Sequence, residues 1–194
     1  MSLRVRLVYS KRGGACFVPH IALAQIFSRT ASRAGLKLIM TQGFSPRAKI
    51  SFAPELPAGV VALAEVVEMF FDGGCDNLIQ RMNENLPEGF NISRAIETPE
   101  DAPSLGKFCT HAEYLVRSKK ILDIQEKFDN PAIIRSKFDD NWFHFIIKDP
   151  AQNPIGGFVK PMIKENLISG WQDINIVRSA VGRYDENSDA VSMT

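Results

Sequence analysis

The run Thr41-Gln42-Gly43-Phe44-Ser45-Pro46-Arg47-Ala48-Lys49-Ile50-Ser51-Phe52 holds the densest chemistry in the chain. Gly43 permits a tight turn, Phe44 brings a flat apolar ring, and Arg47 and Lys49 alternate with apolar residues. In a strand that alternation sends Arg47, Lys49 and Ser51 to one face and Ala48, Ile50 and Phe52 to the other. Cations beside an exposed aromatic can stack bases and hold phosphates of RNA. The competing reading makes Phe44 a core plug and leaves the cations as solvated edge residues. His20 is the second candidate. It opens a predicted helix beside the basic, glycine-rich loop Lys11-Arg12-Gly13-Gly14, where an imidazole can meet a phosphate or move a proton during RNA cleavage. The loop lacks the spacing of a P-loop or dinucleotide fingerprint, so it predicts general anion affinity only.

Charge is unevenly distributed. The first 54 residues contain nine Lys/Arg and no Asp or Glu, yet the 194-residue chain sums to +1, so the remaining 140 residues sum to −8. Such a split predicts a face that attracts a polyanion, unless the later acids fold back and neutralise it. Lys11, Arg12, Arg29, Arg33, Arg47 and Lys49, with Phe44 stacking, are the candidate nucleic-acid contacts, and His20 is the candidate catalytic group. His111 and His144 read as structural. Glu65 and Glu68, three apart on a strand, point to opposite faces and make no acid–base pair. No ligand spacing for a metal and no Ser-His-Asp set is visible, and no cofactor is expected. Three widely spaced cysteines, Cys16, Cys75 and Cys109, predict free thiols rather than a disulfide framework. No run reaches the roughly 18 apolar residues of a membrane span, and no secretory leader is visible, so the expectation is a cytoplasmic protein with no membrane partner.

These side chains need elements to hold them. Residues 4–9 alternate as a strand, and residues 20–34 carry apolar or small residues at Leu23, Phe27, Thr30, Ala31 and Ala34, a helical stripe stopped by Gly35. Strands follow at 48–53, 65–71 and 90–96, with a helix at 76–86 capped by Asp76. Residues 98–106, rich in Pro and acid, read as a linker. The order then repeats: strand 113–117, helix 121–128, a hairpin over 132–138 and 142–147, a helix within 154–168, and a strand at 174–181. The predicted fold class is therefore α+β, with two tandem ferredoxin-like (βαββαβ) domains of antiparallel sheet. The expected boundaries are a basic domain at 1–98, a linker at 99–107, a second domain at 108–184 and a disordered tail at 185–194. Tandem sheets with one free face each would form a cleft suited to an extended ligand.

The strand Arg4–Tyr9, the segment Phe17-Val18-Pro19-His20, the helix end Arg29/Arg33-Ala34-Gly35-Leu36, and Gln42-Gly43-Phe44-Ser45-Pro46 followed by Lys49-Ile50-Ser51-Phe52-Ala53-Pro54 together resemble the radical SAM-linked family DUF2344. The second half resembles it in length and pattern. Members of that family occur alone or joined to a radical SAM protein, often beside genes for RNA processing. The resemblance implies an accessory role in RNA metabolism or modification with a radical SAM protein as partner, and the early cations with Phe44 add RNA as the expected ligand. Here Pro19 and Ala22 stand where the family has Ser before the histidine and an acid two residues after it, and Ala48 replaces a Pro. No Cys-x-x-x-Cys-x-x-Cys set is present, so the chain is not itself a radical SAM enzyme. A fold-level similarity to CRISPR repeat-processing endonucleases supplies the alternative of a metal-independent ribonuclease using His20. A protein–protein docking domain for a radical SAM partner is the third reading.

Overall fold

The computed structural model describes residues 2–120, 130–139 and 141–192. The described strands are β1 (Ser2–Lys11), β2 (Ile50–Phe52), β3 (Val61–Asp72), β4 (Phe90–Glu97), β5 (His111–Ser118), β6 (Ile133–Asp139), β7 (Trp142–Lys148), β8 (Ile174–Asp185) and β9 (Ala190–Ser192). The helices are α1 (His20–Arg33), α2 (Leu78–Asn83), α3 (Leu105–Phe108) and α4 (Gly156–Lys164). All nine strands belong to one mixed, mostly antiparallel sheet, ordered β4-β1-β3-β8-β5-β7-β6, with β2 added to β3 and β9 to β8. The fold is α+β. The helix expected at 121–128 lies outside the described residues.

β1 shows how the sequence builds both faces. Val5, Leu7 and Tyr9 pack with Leu23, Phe27 and Ala31 of α1 and with Val67, Met69 and Phe71 of β3. The alternate residues Arg4, Arg6 and Val8 face the back of the sheet, where Val8 and Val66 join a second core with Leu105, Phe108, Tyr114, Phe145 and Phe158. α1 stops at Gly35, whose φ of +68° suits glycine, as the Leu36 amide donates to the Ala31 carbonyl. α2 is shorter than the periodicity predicts. It starts at Leu78 after Asn77, which has φ of +55°, so Asp76 is not its cap.

Three expectations are corrected. The back face is not free, because residues 98–108 lie across it. Arg4 donates through Nη1 to the carbonyls of Pro99, Glu100 and Ala102, and both Arg4 and Arg6 donate to that of Pro103. The predicted linker is therefore part of the core, with Leu105 and Phe108 buried. Nor, among the described residues, does a cleft form between two open sheets, since β3 and β8 pair in parallel at Val61–Val177 and Ala62–Arg178 and make the sheet continuous. Finally, the segment expected as a disordered tail contains β9, which pairs with β8 from Arg183–Ser192 to Asp185–Ala190.

Candidate functional site

Two polar assemblies stand on β3 and its neighbours. The first surrounds the start of α1. β1 continues two residues beyond Tyr9, so Lys11 is a strand residue only 2% exposed, with Nζ donating to the Val18 carbonyl at 3.3 Å. The chain then turns against Gly89, whose carbonyl accepts from the Arg12 amide. A side chain at Gly89 would meet the Arg12 carbonyl at 2.5 Å, so this approach requires glycine. The turn delivers His20 to the first position of α1, edge-on to Phe52 at 5.5 Å. Tyr9, Lys11, His20, Leu23, Ala53, Leu56 and Glu65 line a recess of about 10 Å³, room for about one water.

Glu65 does not serve the recess donors. Both of its oxygens accept from Arg178 of β8, through Nε at 2.6 Å and through Nη2. Arg178 also reaches the Pro54 carbonyl and the Tyr114 hydroxyl. Burial disfavours its charge, but Glu65 and Tyr114 outweigh that and hold the guanidinium protonated. Burial lowers the pKa of Lys11, with Glu65 opposing, and lowers that of His20 against the pull of Glu55 and Glu65. Burial, then Glu65, raises the Tyr9 phenol well above its ordinary range, so it stays a neutral donor. Cys109, close to the same charges, is pushed up to about 12 by burial and is an inert thiol.

The second assembly is the segment 37–49 at the sheet edge. The Ile39 amide donates to the Phe70 carbonyl, and the Lys49 and Thr41 amides donate back to Ile39 and Arg47. This ladder throws out a short hairpin. Every residue from Thr41 to Arg47 is exposed, and Phe44 stands free at 110% relative exposure. The reading of Phe44 as a core plug is thus excluded. β2 alternates as the sequence predicts: Ile50 and Phe52 pack towards α1, Ser51 is exposed, and Lys49 lies over the Phe70 ring at 3.9 Å on the opposite face.

The nine early cations do not share one groove. Arg4 and Arg6 are buried and paired with Glu68, at 3.0 and 2.9 Å. Lys11 is buried, which corrects its assignment as a surface phosphate contact. Arg12, Arg29, Arg33, Lys37, Arg47 and Lys49 are exposed, and among the described residues none is ion-paired to a carboxylate. Arg29 and Arg33 lie on α1, whereas Lys49 leans to the other face, so these cations straddle the β2 edge. His20 meets Phe52, which pairs with Val67, and the hairpin base meets Phe70, three residues further along β3 and on the order of 10 Å away. Sequence reasoning missed Tyr9, Glu65 and Arg178 beside His20. Its readable signal was a buried-strand pattern running on through Lys11. Among the described residues no cluster of His, Cys, Asp or Glu could hold a metal ion, and no helix is long and apolar enough to cross a membrane.

An α+β chain with these features matches a family model over residues 4–141, described as an uncharacterized protein conserved in bacteria (DUF2344). The chain belongs to that family. No curated protein matches it. Among solved structures, it is similar to the acetolactate synthase small subunit from Thermotoga maritima at 13% identity, covering 95% of this chain and 99% of the other with a TM-score of 0.29. A provisionally assigned glycine cleavage system transcriptional repressor matches at 12% identity, covering 94% and 99%, also with a TM-score of 0.29.

Proposed function

We propose that the chain is a cytoplasmic RNA-binding accessory protein of RNA metabolism that holds RNA at the β2 edge and presents it to a partner enzyme. By family resemblance that partner is a radical SAM protein. The observation that carries this reading is the projecting hairpin, which exposes Phe44 completely beside cations that, among the described residues, pair with no carboxylate. Phe44 stacks a base, Arg47 and Lys49 hold phosphates beside it, and Arg29, Arg33 and Arg12 extend the electrostatic path. The repeated strand orders β4-β1-β3-β2 and β8-β5-β7-β6 support two ferredoxin-like repeats joined edge to edge. Fluorescence anisotropy with a labelled single-stranded RNA at two ionic strengths tests the function. Binding that weakens steeply with salt is expected, and no affinity at either salt overturns the reading.

A second reading, metal-independent cleavage by His20, draws support from Tyr9 and Lys11, two proton donors in the same recess. It predicts RNA cleavage in EDTA that His20→Ala abolishes while binding persists.

A further inference from the structure

The recess beneath His20 is rich in donors and poor in acceptors. Tyr9 is 2% exposed, and among the described residues its hydroxyl has no hydrogen-bond partner. The Lys11 ammonium has three protons and one protein acceptor, the Val18 carbonyl. Glu65, the only carboxylate lining the recess among the described residues, already accepts from Arg178 through both oxygens. Lys11 and Arg178 are balanced by Glu65 and by Glu55, which acts on His20, so the recess offers unused donors rather than net charge. The first turn of the 14-residue helix α1 adds to this, having no side-chain cap and no acidic residue.

We propose that this recess binds a phosphate monoester, taking one terminal oxygen among Tyr9, Lys11 and His20. A volume of about 10 Å³ admits a single oxygen, which a monoester offers at its free end. A diester, with chain on both sides of its phosphorus, cannot insert one as deeply. The body of the ligand stays outside, where Phe17 and Ile21, flanking Pro19-His20 in the chain, are 72% and 89% exposed and give it an apolar surface. The ligand is either the phosphorylated end of an RNA or a small free phosphate. The recess stands independently of the Phe44 hairpin.

The test uses the full chain and follows the His20 ring signals by NMR. Inorganic phosphate is titrated, with acetate as the competing oxyanion, at constant ionic strength. A saturable shift with phosphate is expected, weakened roughly tenfold in Tyr9→Phe, which keeps the ring packing, and lost in Lys11→Met. Tighter binding of a 5′- or 3′-phosphorylated RNA than of its hydroxyl counterpart, removed by Tyr9→Phe, assigns the ligand to an RNA end. Phosphate binding without that preference assigns it to a small phosphate. No saturable shift, equal response to acetate, or phosphate binding unchanged in both variants overturns the proposal. Salt-dependent RNA affinity that is unchanged in Lys11→Met but roughly tenfold weaker in Phe44→Ala shows that the hairpin reading holds whatever the recess does.

Discussion

Glu65 of β3 and Arg178 of β8, 113 residues apart, form a two-point ion pair in which Arg178 is 1% and Glu65 4% exposed. The pair sits beside the short parallel junction of β3 and β8, so it ties the two runs of strands together where few backbone bonds do. Removing one partner leaves a buried charge with nothing to balance it, which costs about 3–5 kcal/mol. Glu65→Gln is therefore expected to lower stability by that amount in urea denaturation, within one cooperative transition. Glu65→Leu combined with Arg178→Met should regain most of the loss. A single-variant loss below about 1 kcal/mol would show the pair to be solvated.

The same logic applies on the back face. Glu68 holds Arg4 and Arg6, which in turn hold the carbonyls of Pro99, Glu100, Ala102 and Pro103. Glu68→Ala leaves two guanidinium groups close together without their anion. Amide exchange over residues 99–106 is expected to accelerate, with the α1 core unaffected. Unchanged protection across that segment would mean that apolar packing of Leu105 and Phe108 alone keeps it in place.

Local periodicity made much of this legible. The stripe of Leu23, Phe27, Thr30 and Ala31 and the stop at Gly35 specify α1, and strict alternation puts Lys49 and Ser51 opposite Ile50 and Phe52. Glu65 and Glu68 part to opposite faces for the same reason. What escaped were pairings distant in sequence. Residues 98–106 read as solvated because they carry Pro and acid, but two arginines alternating on the back of β1 supply donors for their carbonyls. Lys11 read as loop because of the glycines that follow, although it ends a strand buried on both faces. Arg178 carries no local mark of its partner. Counting cations along the sequence therefore overstated the surface patch, since Arg4, Arg6 and Lys11 lie inside.

His20 supplies a pH test. Burial lowers its folded-state pKa below the ordinary imidazole value of 6.5, so the folded protein binds fewer protons than the unfolded chain just below that value. Its contribution to stability is full above pH 6.5 and is lost as pH falls through the folded pKa. An NMR titration of the ring should give a midpoint below 6.5, and His20→Gln should flatten the acid-side stability slope. A midpoint above the ordinary value would instead require an acidic partner that dominates burial.

Phe44 tests the central claim most directly, because its ring stands fully exposed and outside both cores among the described residues. RNA affinity of wild type and Phe44→Ala should be compared at low salt, with thermal unfolding measured alongside. The account predicts binding roughly tenfold weaker in the variant, within the 1–3 kcal/mol of a base–aromatic stack, and an unchanged unfolding midpoint. Equal affinity in the two proteins would contradict it.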